Sequence, residues 1–194
     1  MAGYTLIELM FALGLAATFS VAAGASALTA VDEYRAAGAV RFLSSRLQQA
    51  RMDAISKGVH VGVRFEHPGT DVTFTVYVDG NRNGVRTADI QRGLDLQLRP
   101  AARLSDDFPG IAFAVLPGLP SIDNPAQPAG VDPIRTGPAD MVVFTPLGTA
   151  TAGSLYILGG NRRQYALRVF AETGRSRLLR FDARSGTWAP LRWI

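Results

Sequence analysis

The chain begins with a long apolar stretch and then changes its pattern twice. Residues 9–31 are 23 consecutive uncharged residues, and a helix needs about 20 to cross a bilayer. Residues 32–57 contain no proline, and their apolar positions recur at spacings of three and four. These positions are Val40, Leu43, Leu47, Ala50 and Ala54. We predict one helix of about 80 Å, whose first half lies in lipid and whose second half packs on a domain.

From residue 59 onward, apolar and polar residues alternate in short runs, which is typical of β-strands. The runs cover residues 59–65, 72–78, 94–98, 111–115, 141–144, 154–158, 164–171, 178–181 and 188–194. Because no helical pattern lies between them, we predict a mostly antiparallel sheet or sandwich. Residues 117–138 hold six of the eleven prolines and show no periodicity, so we expect a long surface loop, ordered or mobile. The predicted fold class is α+β.

Composition narrows the possible functions. The 194 residues include no cysteine, which excludes disulfides, thiolate metal sites and a cysteine nucleophile. The two histidines, His60 and His67, lack the spacing of a metal site or a catalytic triad. No glycine-rich phosphate loop precedes a lysine, because the single lysine, Lys57, ends the predicted helix. We therefore predict a protein that is not an enzyme and needs no cofactor.

The net charge of +4 is unevenly distributed. Residues 160–194 carry eight arginines against two acids, whereas residues 1–159 carry 12 basic and 14 acidic residues. If a strand begins at Arg175, Arg175 and Arg177 share a face and can grip phosphates, with Arg180 adding charge nearby. The alternative is that these arginines only keep one face of a strand solvent-exposed, or form ion pairs with acidic residues.

One acidic turn suggests a cation site. Asp79, Asn81 and Asn83 stand at alternate positions before Gly84, as oxygen ligands do at the start of a calcium loop. The twelfth position of such a loop should supply a carboxylate, but here it is Ile90. Asn and Gly are also the residues that a tight hairpin turn requires. The turn is the favoured interpretation, and calcium is the weaker alternative.

Glu8 stands at the entrance of the apolar run, where a carboxylate is costly in lipid unless it is paired. The length of the run, the lack of a preceding basic residue and Glu8 itself argue against a secretory signal peptide. A cut between Gly3 and Tyr4 would create a free amino group that can pair with Glu8 of a neighbouring copy. Gly3 is small enough for close approach to a protease.

The N-terminus resembles the class III signal of type IV pilins and type II secretion pseudopilins. The string is Gly3-Tyr4-Thr5-Leu6-Ile7-Glu8-Leu9-Met10. The resemblance implies that a prepilin peptidase cuts after Gly3, that Tyr4 is N-methylated, and that Glu8 pairs with the N-terminus of the adjacent subunit during filament assembly. Two features depart from the family pattern: Tyr4 replaces the usual Phe, and the leader, residues 1–3, is short and lacks a basic residue.

The later part of the chain is similar to the end of the GspH/FimT domain. The matching strings are Phe144-Thr145-Pro146-Leu147-Gly148-Thr149, Gly153-Ser154-Leu155-Tyr156-Ile157 and Val169-Phe170-Ala171-Glu172-Thr173-Gly174-Arg175-Ser176-Arg177. The resemblance implies a minor filament subunit with a membrane and assembly helix over residues 4–31. The helix would then continue as an amphipathic segment over residues 32–58. A β-rich head domain would follow over residues 59–194, and residues 117–138 would form an insertion in this head.

Two functions follow from this resemblance. The first is a minor pseudopilin of a type II secretion system, anchored in the inner membrane with its head in the periplasm. Its partners would be other pilins or pseudopilins and the prepilin peptidase. The alternative is a FimT-like minor type IV pilin that binds DNA through Arg175, Arg177 and Arg180, because some such pilins carry a Gly-Arg-x-Arg motif in their DNA-binding region.

Overall fold

The computed structural model describes residues 5–67, 69, 71–137 and 139–191, with side chains throughout except at 21–29 and 161. Its first element is helix α1, Leu6–Lys57, which is about 80 Å long at about 1.5 Å per residue. Thr5 is the N-cap. Gly58 ends the helix with a φ of 65°, a left-handed conformation that glycine adopts without steric cost. The predicted long helix is confirmed.

Beyond the helix, the described residues form two antiparallel sheets. The first sheet contains β1 (Val61–Glu66), β2 (Thr73–Val78), β3 (Leu96–Arg103) and β6 (Met141–Phe144). Its order is β3-β2-β1-β6. Two short helices, α2 (Thr87–Gln91) and α3 (Leu104–Asp107), flank β3 in the chain. Neither was predicted, because four or five residues are too few to display a helical period.

The second sheet lies later in the chain. It contains β4 (Ala112–Phe113), β5 (Ile134–Arg135), β7 (Gly153–Leu158), β8 (Gln164–Val169), β9 (Ser176–Asp182) and β10 (Thr187–Pro190). The order is β10-β9-β8-β7-β4, and β5 also pairs with β7. A short 3₁₀ turn, Gly160–Arg162, joins β7 to β8. The predicted α+β class with antiparallel strands is confirmed.

The main core lies between the second half of α1 and both sheets. The five predicted stripe residues are each 0% exposed: Val40, Leu43, Leu47, Ala50 and Ala54. They pack with apolar residues of both sheets, such as Val63 of β1 and Leu167 of β8. One helix face therefore holds the two sheets together.

The proline-rich segment 117–138 packs on the face of the second sheet that points away from the helix. Leu119, Ile122 and Ala129 are buried there against Tyr156 and Leu179. The backbone N–H of Ile122 donates to the Tyr156 hydroxyl at 3.1 Å. Most of the segment is irregular, as expected of a loop, but Ile134–Arg135 form the short strand β5, which the sequence did not predict. Its buried side chains cover a sheet face that is apolar and lacks a helix, whereas most of its other described residues are exposed.

Candidate assembly helix and arginine surfaces

The first half of α1 presents large apolar side chains to its surroundings. Within residues 5–20 the exposed ones are Leu6, Ile7, Leu9, Met10, Phe11, Leu13, Leu15 and Phe19. The hydroxyls of Thr18 and Ser20 donate to the carbonyls of Leu15 and Ala16, both at 2.8 Å. These polar groups are thus satisfied inside the helix, and the outer surface of this segment suits an apolar environment.

A search of the described residues finds no helix with an 18-residue stretch apolar enough to count as a membrane span. Residues 21–29, which belong to the predicted span 9–31, have side chains outside the described part of the chain. Gly3 and Tyr4, the predicted cleavage and methylation residues, also lie outside it.

Glu8 takes part in the N-terminal cap of α1. Its Oε2 accepts hydrogen bonds from the Thr5 backbone N–H at 2.9 Å and from the Thr5 hydroxyl at 3.0 Å. The Glu8 N–H donates in return to the Thr5 hydroxyl at 3.4 Å, which completes a capping box. Sequence reasoning missed this second role, although the Thr5-x-x-Glu8 spacing signals it. Both bonds use one carboxylate oxygen, so the other is left for a further partner.

Contacts along α1 locate the C-terminal arginines relative to the helix. Arg163 and Arg180 reach Glu33, the Ser176 hydroxyl lies 2.7 Å from that of Ser44, and the Gln48 side chain donates to the Gly174 carbonyl at 3.4 Å. Glu33 and Gln48 are separated by about 22 Å at about 1.5 Å per residue. We call the end of the head near Glu33 proximal and the end near Lys57 distal.

Arg180 belongs to the proximal end, which corrects its predicted grouping with Arg175 and Arg177. Its Nη1 lies 2.7 Å from Oε1 of Glu33, and Nη1 of Arg163 lies 2.7 Å from Oε2 of the same carboxylate. Two guanidinium groups thus hold one helix carboxylate and fasten the second sheet to α1. The reason for the separation is strand geometry, because residues three apart on a strand point to opposite faces.

Arg177 lies on the opposite face of the second sheet, near its distal end. Strand β9 begins at Ser176 rather than at Arg175, and Arg175 is exposed in the preceding turn. Arg177 stands directly opposite Arg168 of β8, a neighbour that sequence reasoning missed. Arg168 also forms an ion pair with Asp123, whose Oδ1 lies 3.7 Å from Nε of Arg168. The sheet therefore places Arg177 beside Arg168, whereas the sequence predicted that it shares a face with Arg175.

Gly174 of the Gly-Arg-x-Arg string has a structural role. Its φ is 59°, and a Cβ there would meet the Gly148 carbonyl and the Arg51 side chain. Arg51 Nε also donates to the Gly148 carbonyl at 2.9 Å. Two hairpins thus meet the helix at this point, and Gly174 has no room for a side chain there. The glycine of this string is required for packing, whatever its arginines bind.

Trp188 is partly buried on the outer face of the second sheet. Its indole N–H donates to the Pro120 carbonyl at 2.8 Å, and its ring packs edge-on against Tyr156 and Phe181. A groove of about 520 Å³ runs beside it, with Arg168 and Arg177 in its lining. The indole serves mainly as part of the packing between the sheet and the proline-rich segment. Trp193 lies outside the described residues.

The Asp79 carboxylate organises the acidic turn. Its Oδ1 accepts the backbone N–H groups of Asn81 at 3.1 Å and Arg82 at 2.7 Å, and its Oδ2 accepts that of Gly84 at 2.7 Å. Burial opposes ionisation, but these amide bonds and the nearby His60 lower the pKa of Asp79 overall. The carboxylate oxygens point at backbone amides, which is the arrangement of a tight turn.

The other calcium candidates do not converge on Asp79. Asn83 donates its side-chain amide to Asp89 at 3.0 Å, and the Asn81 side-chain oxygen accepts the Asn83 N–H at 3.2 Å. Among the residues described, no three His, Asp or Glu side chains are grouped as metal ligands. The amide groups of this turn thus engage one another and Asp89.

Comparison with known proteins gives one family match. The sequence profile of the family described as type II transport protein GspH matches residues 39–174. Two solved structures of the minor pseudopilin EpsH from the type II secretion system of Vibrio cholerae are similar in structure. One is 17% identical with a TM-score of 0.46 and covers 75% of this chain and 97% of its own. The other is 18% identical with a TM-score of 0.46 and covers 82% and 97%. No curated protein matches significantly.

Proposed function

This chain belongs to the GspH family of type II transport proteins and is a minor pseudopilin of the type II secretion system, and we propose that its exposed apolar helix drives its assembly. Its role is structural rather than enzymatic. The family implies assembly with other pseudopilins and a place in the inner membrane or the pseudopilus. The proposal concerns how this particular chain achieves that assembly.

The observation that carries the proposal is the exposed apolar surface of residues 6–20. Eight large apolar side chains there are exposed in the described part of the chain, from 45% for Leu15 to 77% for Leu6. In water, this surface would be unfavourable by about 25 cal/mol for each Å² exposed. Before assembly it would be covered by lipid, with residues 9–31 crossing the inner membrane once and the head in the periplasm. After assembly it would be covered by the helices of neighbouring subunits in a periplasmic pseudopilus that aids protein secretion.

We further propose that a prepilin peptidase cuts between Gly3 and Tyr4, that Tyr4 becomes N-methylated, and that Glu8 then pairs with the amino group of the adjacent subunit. The cap geometry supports the last step. Thr5 occupies only Oε2 of Glu8, so Oε1 can accept a neighbour's amino group without opening the helix N-terminus. The pairing would set the axial register of the subunits in the filament.

The decisive experiment compares Glu8→Ala with Glu8→Gln in cells that carry the remaining secretion components. Glu8→Gln retains an oxygen that can accept the cap hydrogen bonds but has no charge. Removing one partner of a buried ion pair costs about 3–5 kcal/mol, so both variants should be lost from isolated pseudopili, and secretion should fall. Head unfolding should be unchanged. Normal incorporation of Glu8→Gln would reject the charge pairing and leave only the cap.

The alternative function, DNA binding, now depends on Arg175 and Arg177 with Arg168 beside them. The position of these three arginines supports DNA binding, because they lie together at the distal end of the head. The arginines that pair with Glu33 lie at the proximal end. Duplex DNA bound there would dissociate steeply with salt, and the Arg175→Ala/Arg177→Ala variant would lower the salt slope by about 1.8. Arg180→Ala is the matched control. Equal slopes for the double variant and the unmodified chain would reject this function.

A further inference from the structure

The proximal end of the head contains an open cleft beside the point where α1 leaves the head. Its volume is about 570 Å³, and its lining includes Glu33, Arg163, Arg180, Asp182 and Arg184. We call it the proximal cleft. Glu33 lies only two residues beyond Val31, the end of the apolar run. The cleft therefore opens next to the C-terminal end of the apolar half of the helix.

The turn between β7 and β8 fixes this position on the helix. A Cβ on Gly159 would meet Cβ of Ala36, and a Cβ on Gly160 would meet the Asp32 carboxylate at 2.9 Å. The turn therefore lies directly on the first charged residues after the apolar run. Arg162, two residues after Gly160, is exposed and has a φ of 55°. It therefore belongs to a turn that packs on the helix just beyond the apolar segment.

The arginines of this region exceed the charge of its acids. Glu33 is shared by Arg163 and Arg180, each of which uses one nitrogen of a guanidinium that has five donors. Asp182 accepts the Arg184 backbone N–H at 3.0 Å and the Ser185 hydroxyl at 3.0 Å. These bonds lower the pKa of Asp182 and keep it ionised. Both acids are thus satisfied within the head.

Two of the arginines remain available for an external anion. Arg162 and Arg184 are exposed, and neither forms an ion pair within 4 Å with a described side chain. With Arg35, Arg163 and Arg180 they make five arginines against Asp32, Glu33 and Asp182, which leaves a net charge of +2. Arginine forks match the oxygens of a phosphate group. The cleft is therefore a cationic pocket beside an apolar helix segment.

We propose that the proximal cleft and Arg162 bind the headgroups of anionic phospholipids, so that the head lies against the membrane surface before the subunit enters the filament. The inference rests on the proposed membrane insertion of residues 9–31. That insertion places the cleft at the depth of the phosphates, and it is the reason to favour lipid over nucleic acid or an acidic protein. Basic residues next to a membrane segment are attracted to anionic lipid within a Debye length of the surface. Entry into the filament would exchange this lipid contact for contacts with other subunits.

The absence of cysteine from the chain makes the proposal measurable. The full chain would carry one fluorophore, either at Thr187→Cys, which stands directly opposite Asp182 of the cleft lining, or at Ala17→Cys in the apolar half of α1. Each labelled protein would be placed in nanodiscs of phosphatidylcholine alone or mixed with phosphatidylglycerol. Nitroxides on the lipid headgroup would report contact by the head, and nitroxides in the acyl chain would report insertion of the helix.

We expect headgroup quenching at position 187 to be stronger with phosphatidylglycerol and to decrease with salt. In the Arg162→Gln/Arg184→Gln variant, the ratio of docked to undocked heads should fall about fivefold for each arginine removed, the factor equivalent to about 1 kcal/mol per basic residue. The matched control, Arg82→Gln/Arg92→Gln, removes two charges from the turn near the distal end and should behave as the unmodified chain. Thermal unfolding of both variants confirms that the head is folded.

The outcomes separate this inference from the function on which it rests. Equal quenching at position 187 in both lipids, or an equal loss in the two double variants, would overturn the lipid contact. If acyl-chain quenching at position 17 persists in that case, membrane insertion stands. Absence of acyl-chain quenching at position 17 would overturn both proposals.

Discussion

The two halves of α1 differ in what covers them. In the half that follows residue 31, Leu43 and Leu47 are fully buried against the two sheets of the same chain. In the first half, Leu13 is 62% exposed and Phe19 is 72% exposed. Both halves belong to one unbroken helix, although, apart from Glu8, only the second half carries charged residues on its outer side. Secondary structure therefore does not distinguish them.

This difference divides the helix by function. The second half is part of the fold, because its apolar stripe is completed by the head. In the proposed function, the first half is covered by partners outside the chain, either lipid or the helices of other pseudopilins. Substitutions in the two halves should thus affect different measurements, stability in one and assembly in the other.

The largest expected effect compares Leu47→Ala with Leu13→Ala. Leu47→Ala leaves a cavity between the helix and both sheets, and such substitutions cost about 2–5 kcal/mol. Leu13→Ala should leave head stability unchanged and reduce incorporation into pseudopili. Urea unfolding of the full chain in detergent measures the first effect, and co-isolation with other pseudopilins measures the second. A stability loss in Leu13→Ala similar to that in Leu47→Ala would contradict the division of the helix.

The contact between the hairpins and the second half of α1 can be tested by Gly174→Ala. The left-handed φ costs about 1–2 kcal/mol for a residue with a Cβ, and overpacking against Gly148 and Arg51 adds about 1–3 kcal/mol. The matched control is Gly186→Ala. Gly186 has a φ of 65° with no atom near its Cβ position, so only the first cost applies. Equal destabilisation of the two variants would show that the close approach contributes nothing.

The stability of the head, which includes the packed half of α1, should decrease at low pH. The pKa of Asp79 is lowered in the folded protein, so the unfolded chain binds the proton more readily. Its contribution to stability is therefore complete above about pH 4, the ordinary range of an aspartate, and is lost as the pH falls below it. Asp79→Asn should cost about 1.5–3 kcal/mol at pH 7. The difference from the unmodified chain should shrink at pH 3, and a pH-independent difference would contradict the assignment.

The smallest expected effect concerns the boundary between the two halves. Glu33→Gln removes both ion pairs to Arg163 and Arg180, which are partly exposed, so about 1 kcal/mol is expected, and less at high salt. Glu66→Gln breaks one ion pair, with Arg64, and serves as the control. An effect of Glu33→Gln no larger than that of Glu66→Gln would show that the shared carboxylate does not fasten the sheet to the helix.

Several elements could be predicted from sequence because their signals are local. The burial of Leu43 and Leu47 follows from a helical period, and the strands near β1 and β2 follow from alternation. The grouping of Arg180 with Arg177 was wrong because it counted distance along the chain and not the alternation of faces along β9. Arg168 was missed because its proximity to Arg177 depends on the pairing of two strands.

The sequence by itself determined the long helix, the α+β class and the family, because period, alternation and short motifs are properties of neighbouring residues. Only the tertiary structure decided that Glu33 receives two arginines, that Gly174 has no room for a side chain, and that residues 117–138 cover a sheet face. Each of these depends on contacts between residues far apart in the chain. Such contacts are set by how the helix and the two sheets pack, which no local pattern specifies.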